Sequence, residues 1–267
     1  MKLSDIIESH ETPVSELKFL ELLKEKTKNG HNQAKSSPLF KFIKTKNDFV
    51  ILNPNAITRR SKSFVENLIG DLPSWKNYPK HSNSIITYSN RELAGENNDG
   101  ELYVIIPYDG VRMAVADETS LNDSFDFAIT KLQISDVSND SLLTWFESLF
   151  WVANKVGLDI EYTEPTKYSD LKKLLDQLQI IKPDSIKKAK DIQGAGVEVQ
   201  RYIDFANRRG GVLSFFDEVL NPDSNHFKLL TTYSGSIPQS KEIWVGGKTL
   251  AIKQSKYQEL YNRGVIV

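Results

Sequence analysis

The chain has 267 residues, 39% of them hydrophobic and 26% charged, the balance of a globular protein built as one large domain or a domain with an extension. A net charge of −1 excludes any global electrostatic pull toward nucleic acid or an anionic membrane. The absence of cysteine excludes disulfides, a thiolate nucleophile and thiolate metal sites, and suits a reducing cytosol. The charge is unevenly placed, with a basic excess over roughly the first sixty residues and an acidic stretch from Asn90 to Ser148.

In chain order, Met1-Lys-Leu-Ser-Asp5 lacks the apolar core of a signal peptide. Ser15 to Lys28 reads as a helix, with Leu17, Phe19, Leu20, Leu22 and Leu23 at helical spacing. The polar stretch Asn29 to Ser37 reads as a loop, so residues 1–40 are expected to form a helical extension and 41–267 the main domain. Phe49 to Leu52 has strand length, and Ser63 to Ile69 reads as a helical turn or two before the Asp71-Leu-Pro73 break. Ser84–Thr87 and Leu102–Ile106 read as strands, bounded by Asp99-Gly100 and Asp109-Gly110 turns. Helices are expected at Asp123–Lys131, Ser141–Val156, Tyr168–Ile181, Asp184–Gln193 and Val197–Val219, giving a helical insertion over about 141–220. The run Leu142 to Val156 is too short and too charged to span a bilayer, and no membrane partner is expected. Lys241–Val245, a Gly246-Gly247 turn and Thr249–Ile252 return the chain to strand. Strands, a helical block and strands again predict an α+β fold.

Several of these segments resemble the ADP-ribosyltransferase family. Ser84-Ile-Ile-Thr87-Tyr88-Ser89 is similar to its strand ending in a Ser-Thr-Ser motif. Ala94 and then Leu102 to Gly110 resemble the family's next block, a small residue before an apolar strand and a Pro-x-x-Gly-like turn. Lys241-Glu242-Ile-Trp-Val resembles the strand that carries the catalytic Glu, and Ala56-Ile-Thr-Arg59-Arg60 occupies the place of the NAD-binding Arg. Trp75 to Ser82 looks like phage and bacterial members. The resemblance implies a split β-sandwich of two small sheets around an NAD cleft. It also implies a mono-ADP-ribosyltransferase that takes NAD as substrate without a metal, in phage–host or toxin and defence biology. Glu242 would be catalytic, and Arg59 or its neighbour Arg60 would hold the pyrophosphate. The hydroxyls of Thr87 and Ser89, two apart on a strand end, would share one side and help position the carboxylate, with Tyr88 facing away. A macromolecular acceptor, protein or RNA/DNA, is implied, as is an antitoxin or inhibitor protein, and the cytosol is the expected compartment.

The chemistry needs these residue types. Breaking the bond from ribose to cationic nicotinamide leaves an oxocarbenium-like centre, which a carboxylate beneath the sugar stabilises. A guanidinium pairs two pyrophosphate oxygens at once, which an ammonium does not. The pattern departs from the family in one respect. Many members carry Glu or Gln two residues before the catalytic Glu; here that position is Ser240, preceded by Gln239, so an arginine acceptor is in doubt. Gln239, Ser240 and Tyr233 belong to the loop where the family recognises its acceptor. His10, His31, His81 and His226 are dispersed, so no metal site is expected. Trp75, Trp145, Trp151 and Trp244 are expected as core or pocket wall. An NAD glycohydrolase and a non-catalytic virion or interaction protein of the same fold stay open as alternatives.

Overall fold

The computed structural model describes residues 11–54, 64–95, 100–155, 168–179, 211–232 and 237–266. The chain divides into two units, one of Met1–Arg60, Asn77–Leu121 and Phe227–Val267, the other of Ser61–Lys76 and Asn122–His226.

The first unit is a mixed helix-and-sheet body. Its strands are β1 (Glu11–Pro13), β2 (Leu39–Ile43), β3 (Phe49–Leu52), β4 (Ile85–Tyr88), β5 (Glu101–Pro107), β6 (Arg112–Val115), β7 (Lys228–Thr231), β8 (Glu242–Val245) and β9 (Thr249–Lys253). They pair antiparallel in the order β1-β3-β9-β5-β2-β4-β8-β6-β7. Residues directly opposite in an antiparallel ladder point to the same face, and successive residues to opposite faces. That parity can be followed across the sheet. Val50, Ala251, Ile105 and Leu39 lie on one face, joined there by Ile85, Ile243, Val245, Met113 and Val115 in a single buried cluster. Phe49, Ile252, Val104 and Phe40 lie on the other. The β2–β4 join is a single pair, Phe40 with Tyr88, whereas neighbouring ladders run for four or five. Two half-sheets therefore meet at one bridge and share one apolar core. The nine strands form one hydrogen-bonded order whose two halves meet at this one pair.

Among the described residues the helices are α1 (Glu16–Lys26), α2 (Lys28–Ser36), α3 (Phe64–Asp71), α4 (Asp126–Leu132), α5 (Asn139–Lys155), α6 (Tyr168–Gln179), α7 (Gly211–Val219) and α8 (Gln254–Asn262). α1 starts where the Ser15 hydroxyl accepts the Lys18 N–H at 3.2 Å, and it buries Phe19, Leu22 and Leu23. These pack with Ala34, Val104, Ile106, Leu250 and Ile252 on the second sheet face. Residues 11–40 thus pack into the sheet's own core, where a separate helical extension over 1–40 was expected. α8 is held by an ion network in which Lys256 meets Glu16 at 3.6 Å and Glu259 at 2.9 Å, with Arg263 3.0 Å from Glu259. These pairs are exposed and individually worth little.

The second unit is helical where described. Trp145 of α5 stacks on Phe215 of α7 at 5.8 Å and meets Phe216 edge-on at 5.5 Å. The Trp75 Nε1–H donates to the Leu220 carbonyl at 2.8 Å, and Asp217 accepts the Ser74 N–H at 2.8 Å. No helix among the described residues is long and apolar enough to cross a membrane.

The expected loop Asn29–Ser37 is helix α2. Its composition is poor for a helix, but its first turn has a tertiary cap: Asp109 Oδ1 accepts the N–H groups of Asn29 at 2.8 Å and Gly30 at 3.2 Å. β1, β2, β6, β7 and α8 were not anticipated either; the strands are short or lack clean alternation. Gly246-Gly247 is no hairpin turn, because β8 and β9 lie in different half-sheets and the chain crosses between them. A Cβ on Gly246 would come within 2.5 Å of Pro79, so the crossing needs glycine. The expected helix over 184–193 and most of the one over 197–219 lie outside the described residues.

Two stability predictions follow from α2. A Cβ on Gly30 would overlap the Pro107 carbonyl oxygen, which sits in rigid backbone. Gly30→Ala should cost about 1–3 kcal/mol or more, read as a lower Tm in thermal melts. Burial, reinforced by the Lys35 charge, lowers the His31 pKa from 6.5 to about 4. The unfolded chain therefore takes up a proton that the folded one refuses, and stability should fall as pH drops from about 6.5 to 4. Urea titrations across that window should show a shallower decline for His31→Gln.

Candidate active site

Strand β8 opens with a carboxylate in an unusual setting. Glu242 is only 6% exposed, and Trp244, two residues on and so on the same face, is fully buried. The Trp244 Nε1–H donates to Glu242 Oε1 at 2.6 Å. His81, in the 3-10 turn His81–Asn83, brings Nε2 to 3.2 Å from the same oxygen. Its ring meets the Trp244 indole edge-on at 4.7 Å between centroids. Phe227 packs on the indole from another side at 5.8 Å. Two N–H donors thus converge on Oε1, and no described residue donates to Oε2. An Nε2–H tautomer and an imidazolium both satisfy this geometry.

Strand β4 sets the carboxylate's position through the backbone. Tyr88 is the cross-strand partner of Glu242, and Thr87 that of Ile243. Tyr88 therefore shares the carboxylate's face while Thr87 points to the reverse face, toward the Ile243 and Val245 core. This corrects the expectation that Thr87 lines the site and Tyr88 turns away; the register decides it. The Thr87 hydroxyl, fully buried, donates to the Ile243 carbonyl at 3.0 Å. The Ser89 hydroxyl accepts the Lys241 N–H at 3.0 Å, and the Ser89 N–H donates to the Lys241 carbonyl at 3.1 Å. Both hydroxyls therefore clamp β4 to β8 on either side of Glu242 and touch no carboxylate oxygen. On the other flank, the Ala116 N–H donates to the Glu242 carbonyl at 3.0 Å.

Gln239 and Ser240 are exposed just before β8, and Ser240 has a left-handed backbone with φ of 55°. Arg59, Arg60 and Tyr233 lie outside the described residues. No group of three or more His, Asp or Glu suited to a metal ion occurs among the described residues. His81 escaped the sequence reading because its partner is 161 positions away, a separation that no local spacing reveals. Trp244 was placed as core or wall; its indole N–H gives it a polar task as well.

Chemically, the site is a buried carboxyl group with two N–H donors on one oxygen and no described donor on the other. Trp244→Phe removes one donor together with the pyrrole part of a fully buried indole, so a cavity cost adds to the lost hydrogen bond. Chemical denaturation of this variant should show a loss of about 2–5 kcal/mol, as large-to-small changes in a core do. Thr87→Val, which deletes a neutral hydrogen bond at similar shape, should cost less, about 0.5–1.5 kcal/mol.

None of the family models, curated proteins or solved structures compared with the chain matches it.

Proposed function

We propose that the chain is an NAD-dependent mono-ADP-ribosyltransferase of the split-sandwich type, with Glu242 as its catalytic carboxylate. The observation that carries this reading is the setting of Glu242: buried, braced through Oε1 by Trp244 and His81, and clamped to a hydroxyl-tipped strand. Such a group is preorganised, so it needs no reorientation when charge develops beside it. The half-sheets joined at Phe40–Tyr88 are compatible with the proposed fold.

In the reaction, the bond between ribose C1′ and the nicotinamide nitrogen breaks, and its electron pair leaves with neutral nicotinamide. The sugar becomes oxocarbenium-like, and Oε2 of Glu242 stabilises it while orienting a ribose hydroxyl. A nucleophile on the acceptor then bonds to C1′ and gives up its proton. Arg59 or Arg60 supplies the pyrophosphate contact, and Gln239, Ser240 and Tyr233 face the acceptor. Opposite unit charges about 4 Å apart attract by about 4 kcal/mol at an effective dielectric near 20, roughly a thousandfold in rate.

Glu242→Gln tests this directly. The amide oxygen still accepts from Trp244 and His81, so the fold and Tm should hold while the charge disappears. With labelled NAD and cell extract, the variant should transfer label about a thousandfold more slowly than wild type. Equal labelling by the two proteins would remove Glu242 from the mechanism. Nicotinamide release without labelled macromolecule would instead identify a glycohydrolase.

A further inference from the structure

The first unit holds a cavity of about 580 Å³ whose lining includes Lys35, Phe40, Gln254, Tyr257, Gln258 and Tyr261. That volume is in the range of small-ligand sites. α8 builds one wall: Gln254, Tyr257, Gln258 and Tyr261 fall at i, i+3, i+4 and i+7, one helical face. The ion pairs of Lys256, Glu259 and Arg263 occupy other positions of the helix, so its charges are consumed away from the cavity. β2 and β5 supply Phe40 and Val104. Three aromatic rings and two amides therefore surround the space, with one cation and no carboxylate in the lining.

The Gln258 amide donates to Asn262 at 3.0 Å, and the other polar groups there have no partner among the described residues. Lys35 forms no ion pair, and neither the Gln254 amide nor the Tyr257 and Tyr261 hydroxyls hydrogen-bond to any described residue. Tyr261 is 54% exposed, high for a large ring. Lys28 lies seven residues before Lys35 on α2, two turns away on the same helical face, and is likewise exposed and unpaired. One ammonium thus edges the aromatic cavity and a second stands two turns away, at the helix end that the Asp109 carboxylate caps. Rings for stacking, amides for a base edge and lysines for phosphates match the way unpaired strands are bound. An acid-free lining with one ammonium group, and a second on the same face of α2 outside it, disfavours a basic peptide, and a base inside a duplex has no free faces to offer.

The cavity also relates to Glu242. Phe40 pairs with Tyr88 and Tyr88 with Glu242, so cavity wall and carboxylate lie on the same sheet face, two strands apart, on the order of 10 Å.

We infer that this cavity and the Lys28–Lys35 face of α2 bind a single-stranded nucleic acid, one base between the aromatic rings and its phosphates against the lysines. That strand is then the acceptor of the transfer, a step that rests on the proposed function. The binding itself does not.

The test is fluorescence anisotropy of the full chain, without NAD, on a labelled single strand of about twelve nucleotides. Wild type should bind the strand more tightly than its duplex. Tyr261→Ala should weaken binding about tenfold or more, as loss of one stacking partner does, while Tyr261→Phe should restore it. Replacing both Lys28 and Lys35 by Ala should lower the slope of log affinity against log salt by about 1.4. Lys18→Ala, whose ammonium already pairs with Glu21 at 2.6 Å, should change nothing. Thermal melts check that each variant is folded. Unchanged affinity in folded Tyr261→Ala, equal binding of the duplex, or displacement of the strand by an equal concentration of free AMP would each overturn the inference. Because no chemistry occurs in this assay, strand binding without ADP-ribosylation would remove only the proposed function. Labelling of protein without strand binding would remove only the present inference.

Discussion

A carboxylate persists inside this protein because two N–H groups point at one of its oxygens. Burying Glu242 without partners would cost several kcal/mol or force it to take up a proton. Trp244 and His81 offset that cost, and they do so from different parts of the chain. The indole comes from the same strand, so its position follows from pleat geometry alone. The imidazole comes from the turn before β4, so the β4–β8 ladder must be in register before it can arrive. Thr87 and Ser89 secure that register through the backbone of β8.

The parity of the sheet also explains which parts of the architecture the sequence discloses. Phe49–Leu52, Ser84–Thr87, Leu102–Ile106 and Thr249–Ile252 are β-branched or apolar runs bounded by turn residues, and they are strands. Leu39–Ile43, with a lysine at its centre, hides its role because Lys41 faces the same way as the buried Leu39 and Ile43. Asn29–Ser37 is helical for a reason that lies eighty residues downstream, at Asp109. Glu242 stands out only because of the family pattern around it; burial and bracing are properties of the folded chain. The roles of Thr87 and Tyr88 were exchanged because a hydroxyl motif says which residues matter and not which way the strand is turned. One residue of register reverses every side chain, and cross-strand pairing is not written in either strand alone.

The same face-by-face reasoning divides labour across the sheet. One face is almost wholly apolar and joins both half-sheets. The other carries helices α1, α2 and α8 over β3, β9 and β5, then Phe40, Tyr88 and Glu242. Both faces thus carry an apolar core, and the chemistry-bearing groups stand on the face where that core is confined to one half-sheet. Substitutions near Glu242 can change its environment while the reverse-face core stays closed.

The solitary Phe40–Tyr88 bridge gives the molecule an uneven response to temperature. Within each half, ladders of backbone hydrogen bonds hold neighbouring strands together, but across the junction cohesion comes from apolar side chains. Apolar cohesion fades on chilling. Apart from the Lys41 ammonium, which donates to the Ile86 carbonyl at 3.4 Å, the junction therefore leans on a force that weakens with cooling, and Phe40 shares it with the wall of the aromatic cavity.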